Sequence, residues 1–109
     1  MHELGITQSI VEACCERAGD ARVARVTVEI GCLCAVLPDA VRFCYDVCTQ
    51  GTPLEGSTIE IIAVPGRGQC RDCGHDMVML DWFTLCACGS ANLECSGGQE
   101  LRIKEMQVL

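Results

Sequence analysis

Two cysteine pairs, Cys70-Arg71-Asp72-Cys73-Gly74 and Cys86-Ala87-Cys88-Gly89-Ser90, constrain this chain more than any other feature. In a C-x-x-C-G stretch the chain turns so that both sulphurs face one metal. Backbone N–H groups can then donate to the thiolates, and the following Gly accepts a left-handed conformation. The first pair has this form in full. The second has one residue between its cysteines, so in an extended chain its sulphurs leave one face without the needed turn, and the backbone has to bend there. Three of the four ligands are then Cys70, Cys73 and Cys88. The fourth is open: Cys86 comes first, with Cys95 and His75 as alternatives, because tetrahedral zinc takes sulphur or imidazole. His75 stands only two residues past Cys73, which makes its reach to the same ion tight and favours a solvent-facing place.

The chain has 109 residues and eleven cysteines, an odd count that sits badly with a disulfide scaffold. Its start, Met-His-Glu-Leu, has no basic n-region of a secretory signal, so a reduced, cytoplasmic setting with metal-bound thiolates is expected. Cys14, Cys44 and Cys48 fall on apolar helical stripes, where a free Cys serves as a small hydrophobe. For Cys32 and Cys34 core filling is favoured over metal binding, since one intervening residue is a weak ligand signal. No apolar run approaches the roughly 18 residues that span a bilayer, so no membrane segment is expected. With 8 Lys and Arg against 15 acids, the net charge of −7 disfavours nucleic-acid binding. No Gly-rich phosphate loop of Walker type appears, and no Ser/His/acid arrangement is readable.

Around the cysteines the pattern is α+β. Apolar Ile6, Ile10, Ala13 and Cys14 predict a helix over 4–18, stopped by Gly19-Asp20. Val26, Val28 and Ile30 alternate in a strand ending at Gly31. Pro38 opens a second helix with Val41, Cys44 and Cys48 on one side and Gly51 as its end. A strand over 58–64 breaks at Pro65-Gly66, and a last strand follows Gly97-Gly98, its apolar spacing shifting between Ile103 and Met106. The architecture expected is a small sheet with two helices, interrupted by an inserted zinc-ribbon-like module. Residues 1–65 and 98–109 form the α/β domain, and 66–97 form the zinc-binding module. That module has so few large apolar residues that a metal would supply much of its folding energy.

The opening M-H-E-L, the strand V-T-V-E-I-G, the stretch P-D-A-V-R-F-C-Y-D-V followed by T-Q-G-T-P-L-E-G-S, and C-R-D-C-G, C-G-S-A-N-L and G-G-Q-E-L-R-I-K-E-M-Q-V together resemble the HypA/HybF family. Those are the nickel-insertion accessory proteins of [NiFe]-hydrogenase maturation. The resemblance runs through nearly the whole chain in order. Its one plain departure is the second pair, where the family has C-P-x-C. It implies a nickel metallochaperone that works with the GTPase HypB to deliver Ni(II) to the hydrogenase large subunit, some members also serving urease. By position it implies nickel at His2 with Met1 and Glu3, and structural zinc at Cys70, Cys73, Cys86 and Cys88. A homodimer is one assembly it allows.

The chemistry of Met1-His2-Glu3 agrees with that carry-over. A histidine at position 2 puts the terminal amine, the intervening amide and an imidazole within reach of one ion, and square-planar nitrogen and oxygen donors suit Ni(II). The positive end of a following helix opposes a cation, and the Glu3 carboxylate offsets that field. Two rivals from other classes stand beside this reading. One is a rubredoxin-like iron electron carrier, which would be coloured and redox-active. The other is a zinc-ribbon protein-interaction module, indifferent to a blocked N-terminus.

Overall fold

A computed structural model describes residues 2–109. The elements in chain order are α1 (His2–Ala18), β1 (Val23–Gly31), α2 (Pro38–Cys48), β2 (Thr58–Val64), β3 (Gly66–Cys70), β4 (Asp76–Met79), β5 (Leu93–Gly97) and β6 (Leu101–Val108). Two three-stranded sheets result, ordered β2-β1-β6 and β4-β3-β5. The architecture is α+β, as the sequence pattern predicts. The chain divides into two compact units. One takes in the chain up to Val28, Val36–Ile62 and Arg102–Leu109; the other comprises Glu29–Ala35 and Ala63–Leu101.

In the first unit, Val26 and Val28 of β1, Val41 and Tyr45 of α2 and Leu54 are essentially sealed from solvent. The Tyr45 hydroxyl lies 2.6 Å from Ser57 Oγ. Ser57 Oγ already donates to the Leu54 carbonyl at 2.5 Å, so the phenol is the donor of the pair. Helix α2 begins on Pro38, whose missing N–H is no loss in a first turn. It ends on Thr49, whose N–H bonds to the Tyr45 carbonyl.

Helix α1 starts two residues earlier than the periodicity predicts and turns a different stripe inward. Glu3, Thr7, Ile10, Val11 and Cys14 are buried, while Ile6 is half-buried and Ala13 exposed. Polar residues hide this stripe from a hydropathy reading. Thr7 is buried because its hydroxyl donates to the Glu3 carbonyl at 2.6 Å, leaving its methyl to pack. Cys14 fills core space, whereas Cys44 and Cys48 are only half-buried.

In the second unit, β3 pairs antiparallel with both neighbours, opposing Gly66 to Met79 and Gly68 to Cys95. The stretch G-R-G-Q-C has little intrinsic strand preference, and pairing on both sides makes it a strand. A Cβ on Gly66 would sit 2.4 Å from the Met79 carbonyl oxygen and 2.7 Å from Leu33, so this glycine marks a close approach.

Candidate metal centre

Both cysteine loops close on a glycine with positive φ. In the first, the Cys70 carbonyl accepts the Gly74 N–H at 2.8 Å and the Cys70 N–H donates to the His75 carbonyl at 2.8 Å. In the second, the Cys86 carbonyl accepts the Gly89 N–H at 2.8 Å and the Cys86 N–H donates to the Ser90 carbonyl at 2.9 Å. Gly74 and Gly89 have φ of 79° and 90°, values at which a side chain is strained. The second loop is therefore the first with its turn one residue tighter, and the shorter Cys86-x-Cys88 spacing still aims both sulphurs to one side.

The four sulphurs of Cys70, Cys73, Cys86 and Cys88 lie within 4.8 Å of one another. Cys70 to Cys88 is 3.8 Å and Cys73 to Cys86 is 3.5 Å. A tetrahedron with metal–sulphur bonds of about 2.3 Å has edges of about 3.8 Å, so the set fits a four-thiolate zinc site. Cys70 and Cys86 are buried; Cys73 and Cys88 face solvent.

Proton affinities report the same crowding. The Cys73 N–H is the main influence pulling the Cys70 thiol down to about 6, against burial. Cys73 is pushed up to about 12, because sharing the cluster with the Cys86 and Cys70 thiols outweighs the His75 N–H that favours its thiolate. Cys88 also rises: the Ser90 N–H favours its thiolate, but the Cys86 thiol and burial prevail. Cys70 gives up its proton readily here, while Cys73 and Cys88 hold theirs until a cation supplies the compensating charge.

A polar clamp joins the loops, and sequence reasoning assigned it no role. Asp72, between the first two cysteines, accepts the Ser90 hydroxyl at 2.5 Å and the Asn92 amide at 3.5 Å. The Arg71 N–H donates to the Asn92 carbonyl at 2.9 Å. The signal was present as Arg-Asp inside the first pair and Ser-Ala-Asn after the second. Outer partners of this kind fix the approach of the ligand-bearing loops.

Of the alternatives for the fourth position, Cys95 points its thiol to the Gly97 carbonyl at 3.3 Å. His75 is exposed and outside the sulphur cluster. Cys32 is exposed rather than packed in a core, and Cys34 is half-buried. Both follow β1 in a turn whose ends are held by hydrogen bonds, so neither is drawn inward.

At the other candidate site, Met1 lies outside the described residues. His2 and Glu3 open α1 with the imidazole Nε2 3.3 Å from the Glu3 carboxylate. Glu3 is buried, and its carboxylate accepts the N–H of Leu37, the residue before α2. Its own backbone N–H does most to hold the carboxyl below the ordinary range, burial opposes it, and Leu37 and His2 add to the lowering.

The model of a family described as a hydrogenase and urease nickel-incorporation metallochaperone, HypA, matches residues 1–108. The hydrogenase maturation factor HypA of Nostoc punctiforme is 53% identical over 108 residues, covering 99% of this chain and 96% of that protein. Its counterpart in Geobacter metallireducens is 49% identical over 109 residues, covering 99% of each. Among solved structures, a HypA solution structure aligns with a TM-score of 0.69 at 25% identity over 100% of this chain and 97% of its own. That of the Helicobacter pylori nickel metallochaperone HypA aligns at 0.67 and 23% identity, over 98% and 97%, and supports the fold.

Proposed function

We propose, from the premise that this chain belongs to the HypA family of nickel-incorporation metallochaperones, that it takes up one Ni(II) at Met1, His2 and Glu3 and passes it on. The observation carrying this is the start of α1, where an imidazole and a carboxylate lie side by side. The carboxylate is already held by the Leu37 N–H, so a cation meets a positioned oxygen donor. The terminal amine, with an ordinary pKa of about 7.7–8.0, loses its proton near neutrality and completes a nitrogen-rich set. Ligand exchange at a chain terminus lets such an ion be handed on.

In this reading Cys70, Cys73, Cys86 and Cys88 hold a structural zinc, separate from the cargo, that keeps the second unit folded. The chain has no nucleotide motif, so timing comes from outside, which fits the GTPase HypB as partner and the hydrogenase large subunit as recipient. Urease is the other recipient the family description names. The protein is a carrier rather than an enzyme. Its acidity speaks against nucleic acid, and no described helix is long and apolar enough to cross a membrane.

The test is a nickel titration of the zinc-loaded chain, the His2→Ala variant and a form with one added N-terminal residue. Nickel affinity should fall at least tenfold in both altered forms while zinc content stays unchanged. Equal affinity in all three would falsify the site. Unchanged affinity in the extended form alone would keep His2 and exclude the amine. Wild-type protein should also retain purified GTPase, and loss of that retention under every nucleotide and nickel condition would remove the partner from the proposal.

A further inference from the structure

The cysteine-bearing unit shows solvent a run of large apolar side chains: Val78, Leu80, Trp82, Phe83 and Leu85. Phe83 is 89% exposed, Leu80 70% and Trp82 56%. Five such residues within eight positions form a dense apolar stretch, and exposed patches of this kind mark interaction sites rather than leftover core. Met79 between them is buried, so the strand meets the core need with one side and leaves the other apolar as well.

The turn is also held in shape. The Trp82 indole N–H donates to the Leu33 carbonyl at 3.1 Å, fixing the ring while leaving it more than half exposed. Asp81 accepts the Phe83 N–H on its carboxylate at 2.8 Å and the Thr84 hydroxyl on its carbonyl at 3.1 Å. An indole held this way gives up little conformational freedom on binding, and tryptophan is enriched among residues that dominate interfaces.

Charge selects the occupant. From Asp72 to Leu101 the sequence holds Asp72, Asp76, Asp81, Glu94 and Glu100 and not one Lys or Arg. The unit's arginines, Arg67 and Arg71, precede this stretch, and Arg71 is 3.9 Å from Glu94. A second copy would set acids against acids, and an anionic bilayer would be repelled in the same way. We propose that the 78–85 turn is a docking surface for a partner protein whose contact face has an apolar centre and a rim of Lys and Arg. This goes beyond the nickel reading and does not depend on it.

Trp82 is the only tryptophan of the chain, so its emission reports occupation of this surface directly. The zinc-loaded full chain is titrated with a helical peptide of leucine and lysine and with its leucine–glutamate counterpart. The lysine peptide should give a saturable blue shift, weakened by salt, and the glutamate peptide none. Phe83→Asp and Leu80→Asp should each weaken binding at least tenfold. Phe43→Asp, at a Phe on α2 that is 78% exposed, should leave it unchanged. No shift, equal response to both peptides, or wild-type affinity in both turn variants would overturn the proposal. A blue shift that rises with the protein's own concentration would assign the turn to a second copy. A shift with phosphatidylcholine vesicles alone would assign it to a membrane. Either result defeats the partner-protein assignment.

Discussion

At the scale of single residues, position in three dimensions separates side chains that look alike in sequence. Eleven cysteines divide into four that converge, one that packs as core and others at the margins. Cys73→Ser is expected to abolish zinc binding, whereas Cys95→Ser, removing a thiol bonded only to a carbonyl, should keep one zinc per chain. Metal analysis of the purified variants decides it, and the reverse pattern would refute the ligand assignment. Tyr45, the only tyrosine, supplies a second check. Burial raises its pKa, with the Ser57 bond working the other way. The folded state therefore holds this proton more tightly than the unfolded one. The associated stability is complete below the ordinary tyrosine value of about 10 and is lost as pH rises through the folded value, by up to about 1.4 kcal/mol per pH unit. Tyrosinate absorbance should appear above the ordinary midpoint. Tyr45→Phe should cost about 1 kcal/mol at neutral pH and remove this alkaline loss. Titration of Tyr45 as a free tyrosine would contradict the account.

At the scale of elements, β2 was legible at both bounds and α2 at its start, because the alternation in T-I-E-I-I-A-V and Pro38 are local signals. Helix α2 stops at Cys48, short of the Gly51 expected to end it. The inward stripe of α1 was not legible. Glu3 is buried through the N–H of Leu37, thirty-four residues away, and no periodicity contains that partner. Strands β3, β4 and β5 were likewise invisible as strands, since pairing rather than composition makes them. Glycines read as punctuation turn out to be contact points. A Cβ on Gly31 would lie 2.0 Å from the Gly98 carbonyl oxygen, and one on Gly98 would lie 2.4 Å from Gly66 Cα. Gly98 also has φ of 86°. Gly98→Ala should therefore destabilise by about 3 kcal/mol or more, since backbone rather than a flexible side chain blocks the methyl. A denaturation midpoint equal to wild type would show that this junction yields easily.

At the scale of the whole molecule, the single tryptophan and single tyrosine fall in different compact units and read them separately. Chelating the zinc is expected to shift Trp82 emission and abolish the order of the second unit. The buried environment of Tyr45 should persist, because Val26, Val28, Val41 and Leu54 provide a core that owes nothing to metal. Stopped-flow chelation with both signals recorded is the measurement. Simultaneous loss of both would mean that the first unit cannot hold its fold alone.

The sequence by itself determined the α+β class, the family, the two cysteine-bearing segments and the net acidity of the chain. These are properties of local pattern and composition, which a linear reading contains. It left Cys86, Cys95 and His75 as rivals, because one-dimensional spacing does not say how a tightened turn aims its sulphurs. Tertiary structure brings the Cys86 sulphur, rather than Cys95 or His75, beside those of Cys70, Cys73 and Cys88, through the Cys86 carbonyl closing on Gly89 and Asp72 bridging to Ser90. It also decided that Gly31, Gly66 and Gly98 meet, that Glu3 is held from across the chain, and that Phe83 faces water. Each of those depends on atoms far apart in sequence finding one another, and only the folded chain supplies the distances over which hydrogen bonds and steric exclusion act.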